Sequence, residues 1–161
     1  MRTPLLFGTT RLFPFYYNRW KAGALFGLVA VLMLGRAEVS RADELLVIAH
    51  PSVAVSSLSS EEVAAIYLLK TTSWQDGGNI VPVNREAASN VRTIFSDAIL
   101  RHPPSALNAY WNQMHFKGKV PPLVQESDQA VLAFVQKVPG AIGYIKATVA
   151  PLNVKILNRV P

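Results

Sequence analysis

Residues 85–92 read REAASNVR and bring guanidinium groups close to a predicted helix start. The segment follows an apolar run, and Ser89 precedes residues with helical periodicity. The first turn of a helix leaves backbone N–H groups unpaired and carries partial positive charge, so it suits an anion. Arg85 adds a guanidinium that can donate two parallel hydrogen bonds to phosphate or carboxylate. These features predict an anion site formed by Arg85, Ser89 and the backbone of Asn90 and Val91.

A second interpretation of the same segment needs no ligand. Ser89 is also an ordinary N-cap residue. Arg85 and Arg92 can form surface ion pairs with Glu86 or Asp97, and such pairs contribute little to stability. From the residue types alone, both interpretations stay open.

No other residues have the spacing of a catalytic or metal site. His50, His102 and His115 are far apart, and none has a second His or a carboxylate at ligand spacing. The chain has no Cys, which excludes disulfides and thiolate chemistry. Neither G-x-S-x-G, a Walker loop nor G-x-G-x-x-G occurs. We therefore expect no metal, no cofactor and no enzymatic activity.

The elements that would position the anion site alternate between strands and helices. Residues 45–49 are a short apolar run, as expected for a strand buried on both faces. Ser59 and Glu62 have the spacing of a capping box, which predicts a helix from there to about Leu69. Pro82 lies within the second apolar run and lacks an N–H, so that strand should be at an edge or only partly paired.

Further helices and strands follow in the second half of the chain. The patterns predict helices at 89–99 and 105–114, a loop at 116–122, a helix from 127 to Pro139, and strands at 141–145 and 154–157. Interleaved strands and helices predict a small α/β layered domain with a partly parallel sheet and flanking helices.

The N-terminal segment has the pattern of an export signal. Basic residues precede an uncharged apolar run at 22–34, AGALFGLVAVLML, which is shorter than the roughly 20 residues of a membrane-spanning helix. Ser40 and Ala42 are small residues at the −3 and −1 positions of a cleavage site. We expect a signal peptide at 1–42, cleavage after Ala42, and a periplasmic or otherwise exported domain at 43–161. The alternatives are an uncleaved anchor, which would be the chain's one contact with a membrane, and a buried helix.

The basic charge of the chain lies largely in that N-terminal segment. The chain has 16 Lys and Arg against 10 Asp and Glu, and six of the basic groups precede residue 43. The rest of the chain is therefore nearly neutral. This distribution does not indicate a nucleic-acid-binding protein.

An ordered set of motifs resembles the phosphate substrate-binding proteins of ABC transporters. The motifs are LSSEEVAAIYLLK with SW and DG at 58–77, IVPVNR at 80–85, SNVR with Phe at 89–95, YW at 110–111, FKGK at 116–119 and PGAIGYI at 139–145. The resemblance covers about residues 45–157, and the chain looks most like short, single-lobe relatives. It implies one lobe of a type II periplasmic-binding-protein fold and a ligand such as phosphate or another oxyanion. The implied partner is an ABC permease or another envelope protein.

The resemblance also implies specific ligand contacts. It assigns the family's phosphate-binding Arg and Ser to Arg85 and Ser89, and a hydroxyl after the first strand to Ser52. Asn90 and Val91 stand where the family has Gly and Thr.

Two departures from the family pattern weaken the predicted site. Ala87 replaces an Asp that accepts a hydrogen bond from protonated phosphate, and Val91 removes a hydroxyl donor. A single lobe also leaves the anion facing water, where each charged contact is worth about 1 kcal/mol or less. We expect weak binding unless a partner or a second copy covers the site. The alternative function is an envelope interaction or accessory protein that kept the fold and lost the ligand.

Overall fold

One mixed five-stranded sheet organises the part of the chain that the structure describes. A computed structural model describes residues 44–161. The strands are β1 (Leu45–Ala49), β2 (Val81–Arg85), β3 (Leu123–Gln125), β4 (Ala141–Lys146) and β5 (Lys155–Val160), and their order is β3-β2-β4-β1-β5. β2 is parallel to β3 and β4, whereas β1 is antiparallel to β4 and β5. The predicted α/β class and partly parallel sheet are confirmed.

Helices connect these strands. They are α1 (Ser60–Tyr67), α2 (Asn90–Phe95), α3 (Asn108–Phe116) and α4 (Asp128–Lys137). A π-helical turn, Ser96–Leu100, extends α2, and a 3-10 turn, Pro104–Leu107, precedes α3. Within residues 44–161 no helix has the length and apolar character needed to cross a bilayer. The predicted signal peptide at 1–42, with its cleavage after Ala42, lies outside the described residues.

Helices cover both faces of the sheet at β1. Leu45 and Val47 belong to one buried cluster with residues of α1 and α2, and Leu46 and Ile48 belong to a second cluster with residues of α4. Burying one such side chain contributes roughly 1.5–3 kcal/mol. All five residues of β1 are buried, which confirms the prediction of a strand buried on both faces.

The capping box predicted at the start of α1 is present. The Glu62 backbone N–H donates to the Ser59 hydroxyl at 3.2 Å, and the Ser59 backbone N–H donates to the Glu62 carboxylate at 2.7 Å. The helix ends at Tyr67, two residues before the predicted Leu69. Leu69 has a left-handed backbone with φ 55°, which a continuing right-handed helix cannot contain.

The prediction that β2 lies at an edge or is only partly paired is confirmed in its second form. The strand is not at an edge, because it lies between β3 and β4. It is partly paired on each side, with β4 at Val81 and Pro82 and with β3 from Val83 onward. Because each partner covers only part of the strand, the missing N–H of Pro82 interrupts no long ladder.

The sequence patterns did not indicate β3. It has three residues, and Leu123 and Val124 are exposed, so neither length nor alternation marks it as a strand. It forms by pairing with β2 in parallel register, which depends on tertiary structure. This strand is the edge of the sheet beside the candidate site.

Candidate anion-binding site

The predicted site residues do not all lie together. Ser52 follows β1, and Ala49 at the end of β1 pairs with Ile142 near the start of β4. β2 runs parallel to β4, and its first residue pairs with the first residue of β4. Arg85 is the last residue of β2, so it lies at the opposite end of the sheet from Ser52. Ser52 is exposed and its hydroxyl lies 2.8 Å from His50 Nδ1. The expectation that Ser52 and Arg85 share one pocket is therefore corrected, because β1 runs antiparallel to β2.

The start of α2 is where the sequence indicated, but its chemistry is different. Ser89 is the N-cap, yet its side chain makes no capping hydrogen bond. Asn90 is exposed, and the Val91 side chain is buried in the core cluster that also contains Phe95. The helix has six residues before the π-helical turn begins. None of these three predicted residues lines the cavity that Arg85 lines.

Arg85 is held by a carboxylate. Its Nη1 donates to Asp128, the first residue of α4, in a buried ion pair, and its Nη2 donates to the Glu126 carbonyl at 2.8 Å. The other Asp128 oxygen accepts the Lys146 backbone N–H at 3.2 Å. The expected surface partner, Glu86, is exposed and does not pair with Arg85 within the described residues. The charge of Arg85 is thus neutralised by Asp128.

A cavity of about 260 Å³ opens beside the carboxyl end of β2, and we call it the arginine pocket. Its polar lining residues are Asn84, Arg85, Arg92 and Asn108. Its apolar lining residues are Ala87, Trp111, Pro121, Pro122 and Val124.

Arg92 is the second guanidinium of the arginine pocket. The residue is 9% exposed, and its Nε has no hydrogen-bond partner. Among residues 44–161 the ion pairs involve Arg85, Arg101 and Arg159, and none involves Arg92. Burial lowers the pKa of Arg92, and the hydroxyls of Tyr144 and Tyr67 partly oppose that shift. Arginine stays protonated in proteins, so the pocket has an unbalanced positive charge.

Three aromatic rings pack together in the core behind α2. The rings of Phe95 and Tyr144 are parallel with centroids 3.8 Å apart, and Tyr67 meets Phe95 edge-on at 4.7 Å. The three rings come from α2, β4 and α1. They fix the position of α2, the helix that presents Arg92.

The Tyr144 hydroxyl orients Asn84. It accepts the Arg85 backbone N–H at 3.1 Å and donates to Asn84 Oδ1 at 2.6 Å. Burial raises the pKa of Tyr144 to about 12, so this hydroxyl keeps its proton at neutral pH. Because Asn84 Oδ1 is already an acceptor for Tyr144, the Asn84 amide nitrogen is left as a donor.

The chemistry of this arrangement is that of a binding site for an anion. The polar lining offers guanidinium and amide donors, and the lining includes no acid, histidine or hydroxyl side chain. Such donors bind oxyanions, but they supply no nucleophile and no general base. In the part of the chain from residue 44 onward, no cluster of His, Asp and Glu could hold a metal ion.

Sequence reasoning missed Arg92 as a pocket residue and Asp128 as the partner of Arg85. One signal was present for Arg92, because it shares the inward stripe of its helix with Phe95 and Ile99. A charged residue on such a stripe needs a buried partner or a ligand. No local signal indicated Asp128, which is 43 residues from Arg85.

Comparison with solved structures shows which proteins share this fold. No protein-family profile matches the chain. A Clostridium perfringens structure described as a phosphate ABC transporter substrate-binding protein with bound phosphate is similar, with TM-score 0.59, 23% identity, 71% of this chain covered and 44% of that one. For an ABC-type phosphate transport receptor from Vibrio cholerae the TM-score is 0.55 and the identity 23%, with 71% of this chain and 45% of that chain covered. For PstS from Borrelia burgdorferi the TM-score is 0.55 and the identity 21%, with 71% of this chain and 46% of that chain covered.

These similarities define the fold of the domain. The mixed sheet with flanking helices matches one lobe of such periplasmic binding proteins, as predicted. The chain spans less than half the length of the solved proteins that it matches. Two of these neighbours are described as a substrate-binding protein and a transport receptor.

Proposed function

We propose that this chain is an exported, non-enzymatic binding module for a small oxyanion, phosphate among the candidates, that works with an ABC-type permease. One observation carries the proposal: Arg92 is a buried guanidinium without a counterion among the described residues, and the cavity that it lines also contains the side-chain amides of Asn84 and Asn108. The names of the fold neighbours, which refer to phosphate transport, support the same ligand class. The signal-like N-terminal sequence supports export.

Charge balance explains why an anion suits this site. Removing a charge from water is unfavourable unless an opposite charge or several hydrogen bonds compensate it. Asp128 compensates Arg85, but Arg92 has no corresponding carboxylate within the described residues. A bound anion would supply the missing charge and accept the free donors of Arg92 and Asn84.

The proposed affinity is low for the isolated chain. The part of this chain that aligns with its fold neighbours covers 44% and 45% of their length, which corresponds to one lobe beside the ligand. A ligand that faces water on one side gains less from each charged contact than an enclosed ligand does. We expect a dissociation constant of about 1 mM, which corresponds to roughly 4 kcal/mol.

Calorimetric titration of the full chain with phosphate and with sulfate tests the proposal. The wild type should give binding heat, and Arg92→Gln should weaken binding at least about tenfold, because hydrogen bonds to a charged group are worth roughly 1.5–3 kcal/mol. The matched control is Arg101→Gln, which removes an equal charge from a side chain that is 80% exposed. The absence of heat in the wild type, or equal losses in both variants, would reject anion binding in this pocket.

A second candidate function is that of an envelope accessory protein without a ligand. The exposed apolar side chains along residues 116–124 favour it: Phe116 is 89% exposed, Val120 77%, Leu123 49% and Val124 59%. They flank β3, the edge strand, to which an envelope protein could add a strand of its own.

The two candidates differ in which residue partner capture needs. If the accessory function is correct, permease or other envelope proteins should be captured equally by the wild type and by Arg92→Gln. Val124→Lys should abolish that capture, because it places a charge on the exposed edge strand. Capture that requires Arg92 instead of Val124 would favour the oxyanion module.

A further inference from the structure

We propose that the arginine pocket selects an organic monoanion, a sulfonate or carboxylate with a compact apolar substituent, over an inorganic oxyanion. This inference rests on the proposed oxyanion-binding function and specifies its ligand class. The carrying observation is that one cavity has a polar wall with a single uncompensated cation and a separate apolar wall.

The polar wall suits one negative charge. Arg85 is already neutralised by Asp128, which leaves Arg92 as the cation without a counterion among the described residues. A dianion such as sulfate would bring one negative charge more than the site can balance. An excess charge in a partly desolvated site is unfavourable. The single negative charge of a monoanion balances the single positive charge of Arg92.

The polar wall also disfavours an anion that carries a proton. A protonated phosphate oxygen needs an acceptor. No carboxylate lines the pocket: Ala87 presents a methyl group, and the side-chain acceptors are the neutral amide oxygens of Asn84, which already accepts from Tyr144, and of Asn108. A neutral amide oxygen is a weaker acceptor than a carboxylate. Sulfonates and carboxylates are fully ionised at neutral pH and carry no O–H group, so they need no such acceptor.

The apolar wall and the volume leave room for a substituent. Trp111, Pro121, Pro122 and Val124 line this wall, and Pro122 is buried. A small inorganic oxyanion occupies roughly the volume of two to three water molecules, about 60–90 Å³. The cavity measures about 260 Å³ and is open to solvent, so most of it would hold water around such an ion. An aromatic or short aliphatic group would fill that space against the indole and proline rings.

The test compares four ligands that separate charge from apolar contact. The full chain is titrated with benzenesulfonate, methanesulfonate, sulfate and the neutral analogue benzenesulfonamide. We expect benzenesulfonate to bind about tenfold more tightly than methanesulfonate, the gain for burying roughly 60 Å² of apolar surface. Methanesulfonate should bind at least as tightly as sulfate, and benzenesulfonamide should not bind.

Variants of each wall should separate the two contributions. Arg92→Gln should weaken both sulfonates by about tenfold or more. Trp111→Leu should weaken benzenesulfonate at least about fivefold and change methanesulfonate less than about twofold. Val124→Ser repeats the test of the apolar wall at a 59% exposed position, where a folding defect is not expected. Arg101→Gln should leave the affinity for both sulfonates unchanged.

The outcomes distinguish this inference from the function on which it rests. If sulfate or phosphate binds as tightly as benzenesulfonate, the organic-ligand inference is wrong and oxyanion binding stands. If no anion binds, both are wrong. If benzenesulfonamide binds as tightly as benzenesulfonate, the pocket recognises the ring and the role assigned to Arg92 is wrong.

Discussion

The central strands and the segment from α3 to β3 place their apolar residues in opposite environments. Every residue of β1 and five of the six in β4 are buried. In contrast, α3 has no buried residue, and Phe116 at its end is 89% exposed. Helices cover both faces of the central strands, whereas β3 lies at the edge of the sheet. The central strands therefore supply stability, and the edge segment can vary with its ligand or partner at little cost to the fold.

The two arginines of the pocket differ in the same way. Arg85 at the end of β2 is fixed by Asp128 and by the Glu126 carbonyl, so its role is structural. Arg92 has equal burial but no ion pair within residues 44–161. An arginine that is buried for stability acquires a carboxylate partner, while an unpaired one points to a ligand.

The largest effect should come from breaking the Arg85–Asp128 pair. Asp128→Asn keeps the side-chain size and leaves the Arg85 charge buried without a partner, so the free energy of unfolding should fall by about 3–5 kcal/mol. Urea denaturation measures this loss as a lower midpoint with an unchanged slope. The control is Glu44→Gln, which breaks a pair with an Arg159 side chain that is 60% exposed. That variant should lose less than about 1 kcal/mol, and equal losses would show that Arg85 is not structural.

Matched truncations compare the central strands with the edge strand. Ile48→Ala removes a fully buried side chain from β1 and should lower the free energy of unfolding by about 2–5 kcal/mol. Leu123→Ala, at a position in β3 that is 49% exposed, should cost less than about 1 kcal/mol. Thermal unfolding of both variants measures the difference. Similar losses would mean that the edge strand contributes to the core after all.

Unfolding at alkaline pH should show how much the protonated Tyr144 hydroxyl contributes to stability. Its pKa in the folded protein is about 12, against an ordinary value near 10. Because the unfolded chain loses this proton first, the stabilisation is complete below pH 10 and is lost as the pH rises toward 12. Tyr144→Phe should cost about 1–3 kcal/mol at pH 7, since Asn84 and the Arg85 N–H lose a partner.

The melting temperature from pH 7 to 12 is the measurement for Tyr144. The decline above pH 10 should be shallower in Tyr144→Phe than in the wild type. Some decline should persist, because burial also raises the pKa of Tyr67. Identical pH profiles would exclude the Tyr144 hydroxyl as a contributor.

The smallest expected effect compares two N-cap serines that look alike in sequence. Ser59→Ala removes a cap that accepts the Glu62 N–H and should cost about 1 kcal/mol. Ser89→Ala should cost less than about 0.3 kcal/mol, since the Ser89 side chain caps nothing. Denaturation of both variants checks the difference. If Ser89→Ala lowered the free energy of unfolding as much as Ser59→Ala does, the Ser89 side chain would be a cap after all.

Features that depend on neighbouring residues were predictable from the sequence. The Ser59 capping box, the buried first strand and the start of α2 after Ser89 appear where the patterns indicated. Each depends on contacts within about one helical turn or on the alternation of a single strand. The three-residue β3 was not predictable, because its pairing partner lies in β2.

The candidate site was harder to predict than the fold. The segment around Arg85 was singled out from the sequence, but Arg92, which lines the same pocket, was not assigned to the site. Which arginine keeps an uncompensated charge could not be predicted locally, because it depends on which one pairs with Asp128. Asp128 pairs with Arg85, which is 43 residues earlier in the chain. Ser52 was assigned to the same site through the family resemblance, and the direction of β1 relative to β2, which separates the two residues, cannot be read from the sequence of one strand.

Local periodicity and capping thus determined the identity and approximate bounds of most helices and strands, since their energetics involve residues a few positions apart. Strand order, strand direction and the pairing of buried charges depend on contacts between residues far apart in the chain. Those contacts place Ser52 at the far end of the sheet, give Arg85 its carboxylate and leave Arg92 without an ion-pair partner within residues 44–161. A buried charge is compensated by whatever group the fold brings beside it, and that group is set by the packing of the whole domain.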